Sequence, residues 1–131
     1  MRRAVLLLNA VMALGSAGSA VLGMVDPGIL SVPGTEVSDG MDMYAQAYGV
    51  RAIPLAAGLL YLLARRADRG LTPILIVAGV AQLGDAVIGI EQGITGMAIG
   101  GTLGATVHLA SAWWLSRPPA RTFASGAINA G

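Results

Sequence analysis

The sequence contains no cysteine and no lysine, and only 11% of its 131 residues are charged. The absence of cysteine excludes thiol nucleophiles, disulfide exchange and Cys-based metal or iron–sulfur sites. The formal net charge of +1 gives no basis for a nucleic-acid surface, so no nucleic-acid partner is expected. A soluble domain averages roughly 25% charged residues, so this chain has too few to coat a small globule. With 55% hydrophobic residues, it is predicted to be a membrane protein.

Four apolar stretches are long enough to cross a bilayer, which takes about 20 residues. They cover approximately residues 4–25, 44–64, 71–89 and 94–115. The loop over residues 26–42 is predicted to be non-helical, and Pro118 and Pro119 prevent the last helix from extending. The predicted fold is all-α, an antiparallel bundle of four transmembrane helices in one domain, 1–116, followed by a flexible tail, 117–131.

The charges outside the apolar stretches predict the orientation of the bundle. One end, the basic end, carries Arg2, Arg3, Arg65, Arg66, Arg69, Arg117 and Arg121. The other end, the acidic end, carries Asp26, Glu36, Asp39, Asp42 and Glu91 and no basic residue. The positive-inside rule therefore predicts a multi-pass protein of the cell membrane with both termini in the cytoplasm. Residues 1–20 also have the pattern of a cleavable signal peptide, whose removal would leave three spans.

Two charged residues, Arg51 and Asp85, lie inside predicted spans. Placing either type at a helix centre costs roughly 2.5–3.5 kcal/mol on insertion scales. Both lie about 10 Å from the acidic end, at 1.5 Å per residue, on adjacent antiparallel helices. We therefore predict that they pair out of water, which offsets part of each desolvation cost. The alternative is that Arg51 extends to the outer headgroups.

Other polar side chains predict a pocket around this pair. Tyr44 and Tyr48 share a helix face with Arg51, and Gln82 lies one turn before Asp85. Asp85, His108 and Arg51 are the catalytic candidates, because a carboxyl group and an imidazole can perform acid/base chemistry. The candidate substrate-binding residues are Tyr44, Tyr48, Gln82, Asn9, Glu91 and Trp113.

Several of these residues have simpler interpretations. The tyrosines and Trp113 are also typical of the aromatic belts at membrane interfaces. Glu91 can be a solvated loop residue, and His108 a hydrogen-bond partner between helices. One histidine with two acids is too few for a metal site, so neither a metal nor a cofactor is predicted.

Small residues on the fourth span predict a packing face. Gly96, Gly100 and Gly104 are spaced four apart, and His108 and Ala112 continue the same register. Small residues allow the close backbone approach that drives helix association in lipid. The partner is either another span or a second copy of the protein, which would make a homo-oligomer.

The stretches "YGVRAIPLAAGLLYL", "AQLGDAVIGI" and "GATVHLASAWW" resemble a family of small four-helix integral membrane proteins of bacteria and fungi, known only as a domain of unknown function. The likeness covers roughly residues 5–115, and Arg51, Asp85 and His108 match the family's Arg, Asp and His in spans two, three and four. Ala52 stands where an acidic residue is common in that family, which makes Asp85 the expected partner of Arg51. The resemblance implies the fold and this polar trio but no reaction.

Three functions are compatible with these features. In the first, the protein binds or transforms a lipophilic small molecule by cofactor-independent acid/base chemistry, such as isomerisation, cyclisation or epoxide opening. In the second, it is a proton-coupled exporter similar to small multidrug transporters; those have their essential carboxylate in span one, where this chain has no acid. In the third, it is an accessory subunit in which Arg51 and Asp85 only fix the helix register. The first is preferred, with membrane lipid as the surrounding partner.

Overall fold

The computed structural model describes residues 2–32 and 34–117. This part of the chain forms four α-helices and one short 3-10 helix, with no β-strand, which confirms the all-α prediction for these residues. The elements in order are α1 (Arg2–Val25), the 3-10 helix (Pro27–Leu30), α2 (Asp39–Arg65), α3 (Asp68–Glu91) and α4 (Thr95–Leu115). The predicted tail, apart from Arg117, lies outside the described residues.

The connection between α1 and α2 is shorter than predicted. Its first part forms the 3-10 helix, where the Asp26 carboxylate accepts a hydrogen bond of 3.0 Å from the backbone N–H of Gly28. Its last part belongs to α2, because Ser38 caps the helix by accepting from the N–H of Met41. Asp39 lies in the first turn of α2, where acidic side chains complement the helix dipole. The prediction that all of residues 26–42 are non-helical is therefore wrong.

The other two connections are tight turns, as predicted. Arg66 ends α2 in the left-handed conformation, with φ of 51°, and α3 begins two residues later. Gly93 has φ of 70° in the turn between α3 and α4, a conformation that glycine adopts without strain. Turns this short place consecutive helices side by side and antiparallel.

Three helices are long and apolar enough to cross a membrane: Arg2–Val25, Asp39–Arg65 and Arg69–Glu91. They support a membrane protein by their length and composition. The fourth predicted span forms as α4, a helix of 21 residues, but is not among these three. The membrane type and the orientation of the termini stay predictions.

The helices pack as two hairpins. The most extensive contact is between α3 and α4, followed by that between α1 and α2, whereas α1 approaches α4 at far fewer positions. Glycines bring α3 and α4 together: a Cβ on Gly101 would lie 2.5 Å from the backbone nitrogen of Ala86, and one on Gly89 would overlap Ala98. Close backbone contact therefore holds the second hairpin together.

Only one of the three glycines in the predicted packing face of α4 contacts another helix of the same chain. Gly104 packs against the Gln82 side chain, but a Cβ on Gly96 or Gly100 would have no neighbour within 4 Å. The backbone contact uses Gly101, about 100° further round the helix than Gly100. Apolar residues surround α4 on all sides, so its sequence pattern does not fix which face meets α3. Association of a second copy through Gly96 and Gly100 stays a prediction.

The apolar core lies in the half of the bundle nearer the basic end. Its largest fully buried apolar side chains are Leu59, Leu71 and Leu75. Ala13 and Ala112 complete the contact between the hairpins there. The two cavities described below lie in the half nearer the acidic end.

Candidate functional site

An ion pair links α2 and α3 in the acidic half of the bundle. Nη2 of Arg51 donates to Oδ1 of Asp85 over 2.7 Å, which confirms the predicted contact. The Asp85 side chain is 7% exposed, whereas the Arg51 side chain is 54% exposed. The guanidinium carbon also lies 5.6 Å from the ring centroid of Tyr48, within cation–π range. The carboxylate is thus buried and neutralised, while the guanidinium extends to the surface.

Asp85 also faces a cleft between α1 and α4. This cleft has a volume of about 650 Å³ and reaches from the middle of the bundle to the acidic end. Its two long walls come from residues 11–19 of α1 and residues 96–104 of α4. The connecting segments line its outer end with Ile29, Ser31 and Val32 on one side and Gly93 and Ile94 on the other.

Exposed glycines line the cleft along the flank of the bundle. Gly15 on α1 and Gly96 and Gly100 on α4 all line it, all are exposed, and none has a neighbour where a Cβ would be. Because these glycines lie within the two helices, the opening runs along the flank of the bundle. If the helices span a bilayer, this opening faces lipid.

Polar groups form the floor of the cleft. Tyr48, Gln82 and Asp85 line it, and Nε2 of Gln82 donates to Oγ of Ser16 over 3.2 Å. That hydrogen bond joins α3 to α1 across the bundle. Among the described residues, Asp85 is the only charged one that lines the cleft, because Arg51 lies behind it.

A second polar cluster joins α1 to α4 in the basic half. Asn9 donates through Nδ2 to Oγ of Ser111 and to the backbone oxygen of Val5, each over 2.7 Å. Its Oδ1 lies 2.7 Å from Nδ1 of His108, and because that oxygen can only accept, Nδ1 carries the proton. Asn9 is 0% and His108 2% exposed. This Asn9–His108–Ser111 cluster fastens the two helices that the cleft separates further along.

The prediction of one shared polar pocket is therefore wrong. Arg51 and Asp85 meet as expected, but Asn9 and His108 are not among the residues that line the cleft. His108 lies one turn beyond Gly104 toward the basic end, on the far side of the bond between Gln82 and Ser16. The position of His108 favours its simpler interpretation as a hydrogen-bond partner between helices, and its catalytic role stays untested.

Three further candidates lie away from the cleft. The hydroxyl oxygen of Tyr44 is 4.0 Å from the sulfur of Met97, and Tyr44 lines a second cavity of about 560 Å³ at the acidic end. Glu91 is exposed at the end of α3. Trp113 is 62% exposed at the basic end, where the guanidinium carbon of Arg117 lies 3.5 Å from its ring centroid. Nothing in the structure tests whether these residues bind a ligand.

Some site residues are absent from the prediction. Ser111 lies three residues after His108, and this spacing on one helix face is the signal that could have identified it. Ile29, Ser31 and Val32 line the cleft from a connecting segment, and no local pattern indicates where such a segment lies. Among residues 2–32 and 34–117, no three His, Cys, Asp or Glu side chains come together as metal ligands.

Fold and site together define a helical bundle with three helices apolar enough to cross a membrane, in which α1 and α4 border a cleft with a buried, paired carboxylate at its floor. No protein-family model matches the chain, and no curated protein or solved structure matches it either. The resemblance to the four-helix family of unknown function therefore stays a prediction.

Proposed function

We propose that this protein binds a lipophilic small molecule in the cleft between α1 and α4. The observation that carries the proposal is the cleft itself: about 650 Å³, apolar and small residues on its walls, and polar groups gathered at its floor. Ligand sites typically measure about 300–1,000 Å³ and combine apolar walls with a few convergent polar groups.

Four membrane crossings are part of the proposal. The helix α4 has 21 residues, about 32 Å at 1.5 Å per residue, which matches a hydrocarbon core about 30 Å thick. It packs closely along α3, which is itself apolar enough to cross. Its glycines contact α3 or line the cleft, so they have a role in the bundle other than contact with lipid. The arginine-rich basic end then faces the cytoplasm in a cell membrane.

Entry from the bilayer follows from the opening along the flank of the bundle. A lipophilic molecule partitions into the hydrocarbon layer and would reach the cleft between α1 and α4 without crossing water. Its apolar part would lie along the two helices, and its polar group would meet Gln82 and Asp85. Arg51 acts from behind the floor, where it neutralises the carboxylate.

The test is to identify what the full-length protein carries when it is purified from membranes into nanodiscs and extracted for mass spectrometry. The matched variants are Gly100→Leu, which fills the cleft, and Gly18→Leu, which places the same side chain in open space on α1 outside it. Wild type and Gly18→Leu should yield one enriched lipophile, and Gly100→Leu should lose it about tenfold. An equal yield from all three, or no enriched molecule, would contradict the proposal.

Acid/base transformation of the bound molecule is the second candidate. It is favoured by one observation, that Tyr48 and Asp85, which both exchange protons, line the same cleft. Asp85 would act as the base and Tyr48 as the acid in an isomerase-type or cyclase-type reaction. Conversion of the enriched lipophile should stop in Asp85→Asn and slow in Tyr48→Phe, while binding to Tyr48→Phe persists. Unchanged conversion in Asp85→Asn would exclude this chemistry.

The double variant Arg51→Asp, Asp85→Arg distinguishes the proposed ligand binding from an accessory role in which the protein has no ligand. Because Arg51 does not line the cleft, the exchange moves the carboxylate out of it but preserves the ion pair. We expect the double variant to fold and to lose the lipophile. If the cellular function of the protein survived the exchange in full, the pair would serve only to fix the helix register.

A further inference from the structure

We infer that the ligand is an uncharged lipophilic alcohol whose hydroxyl group donates a hydrogen bond to Asp85. This inference rests on the proposed function and specifies the chemical class that the cleft accepts. It follows from three features of the cleft: the charge balance of its floor, the acceptor-only carboxylate there and the shape of the walls above it.

The charge balance disfavours a charged ligand. Asp85 is the only charged residue lining the cleft in the described part of the chain, and Arg51, 2.7 Å away, already neutralises it. A cation would compete with the guanidinium for the same carboxylate and leave a net positive charge out of water. An anion would meet the carboxylate first, because Arg51 lies behind the floor.

The hydrogen-bonding groups favour a donor on the ligand. Oδ1 of Asp85 accepts from Arg51, and a carboxylate has two oxygens with capacity for further donors. One N–H of the Gln82 amide is bonded to Ser16, and the Tyr48 hydroxyl and the Gln82 amide can each both donate and accept. The Asp85 carboxylate differs from them because it can only accept, so it requires a donor from the ligand. An uncharged molecule that brings its own O–H group satisfies this acceptor without disturbing the charge balance.

The walls fit a slender apolar body. Gly15 and Ser19 on α1 and Gly96 and Gly100 on α4 all line the cleft, so much of its lining has little or no side chain. Val11 and Leu103 add apolar surface toward the middle of the bundle. A chain or a flat ring system lying along the helices would bury its surface there, while a compact polar molecule would leave the walls uncovered.

The test uses four photoreactive probes with the same alkyl chain and diazirine: hexadecanol, hexadecyl methyl ether, hexadecylamine and palmitate. Each is incorporated into nanodiscs containing the wild-type protein at neutral pH, and labelled residues are mapped by mass spectrometry. We expect the alcohol to label the cleft walls about tenfold more than the other three, the ratio that corresponds to one charge-assisted hydrogen bond. The ether, which lacks the donor, is the critical control.

The outcomes separate this inference from the proposed function. Equal labelling of the cleft by all four probes would overturn the alcohol inference but leave lipophile binding in place. Preference for the amine would also overturn it and would favour the proton-coupled exporter. Labelling spread evenly over the outer surface of the bundle by every probe would overturn both.

Two variants invert the expected preference. Asp85→Asn leaves the Arg51 charge uncompensated, so the palmitate probe should gain relative to the alcohol. Arg51→Gln leaves the carboxylate unpaired, so the amine probe should gain instead. Only variants that stay monodisperse are compared. If either variant fails to fold, the comparison of the four probes on the wild-type protein decides the inference. Preferences that stay the same in both folded variants would show that the pair does not select the ligand.

Discussion

The same two helices, α1 and α4, meet in opposite ways in the two halves of the bundle. Toward the basic end, the Asn9–His108–Ser111 cluster joins them through short, buried hydrogen bonds, next to the leucine-rich core. Toward the acidic end they separate, and exposed glycines line an open cleft. In the basic half, polar residues contact each other and hold the two helices together. In the acidic half, polar residues face a cavity and are available to a ligand.

The polar residues within the helices therefore have different surroundings in the two halves. In lipid, helices gain nothing from burying apolar surface, so hydrogen bonds and close backbone contacts hold them together. His108 has its Nδ1 proton committed to Asn9, and Asp85 has one oxygen committed to Arg51 while it still lines a cavity. The predictions below test this division, beginning with the largest expected effect.

Neighbouring glycines on α4 should differ most in their tolerance of a methyl group. Gly101→Ala would place a Cβ 2.5 Å from the backbone nitrogen of Ala86, so the helices must move apart at a cost of about 3 kcal/mol. Gly100→Ala meets open space and should change the free energy of unfolding by less than about 0.5 kcal/mol. Unfolding by SDS titration in mixed micelles, followed by circular dichroism, measures both. Equal costs would contradict the packing described for α4.

The two partners of the ion pair should differ in their effect on stability. Arg51→Gln leaves a 7% exposed carboxylate without its partner and should cost about 2 kcal/mol, less than for a fully buried pair because the guanidinium is half-exposed. Asp85→Asn leaves a guanidinium that reaches the surface, and should cost less than about 1 kcal/mol. The same unfolding titration compares them, and a larger loss for Asp85→Asn would indicate that the guanidinium is the more buried partner.

Removal of the cluster in the basic half should loosen α1 from α4. Asn9→Leu deletes the bonds to Ser111 and His108 and leaves both without that partner, which should cost about 1.5 kcal/mol. Because the chain has no native cysteine, a single spin label on α1 and one on α4 report the distance between them by electron resonance. We expect this distance to broaden near the basic end. An unchanged distance distribution would show that the cluster does not hold the helices.

The smallest effect is expected at the bond that crosses the cleft floor. Ser16→Ala removes one hydrogen bond to Gln82, and such bonds within membranes average about 0.6 kcal/mol. The N–H group released from Ser16 should raise labelling by the methyl ether probe, because it becomes available to the ether oxygen. Unchanged ether labelling with an unchanged unfolding free energy would mean that this bond contributes nothing to the floor.

The sequence predicts where the helices begin and end better than how each helix is rotated about its own axis. Apolar length and the polar connections identify four helices, and matched depth correctly pairs Arg51 with Asp85. The start of α2 is missed because Asp39 and Asp42 look like loop residues, although a Ser38 cap makes them a favourable first turn. Hydropathy registers length and composition but not such a cap.

Rotation about the helix axis is what the sequence leaves undetermined. A turn of about 100° separates Gly100, which faces the cleft, from Gly101, which touches α3, and both are equally small. Because α4 is apolar all round, no polar face indicates which residue points inward. Depth, not rotation, separates His108 from the cleft: it shares a helix face with Gly104, which lines the cleft, but lies one turn nearer the basic end.

An experimental structure of the full-length protein purified from membranes into nanodiscs tests the central claim most directly. We predict elongated density between α1 and α4 in the acidic half, with its polar end within hydrogen-bonding distance of the Asp85 carboxylate and its apolar part beside Gly96 and Gly100. Closure of α1 onto α4 along their whole length, or density only on the outer surface of the bundle, would contradict the account.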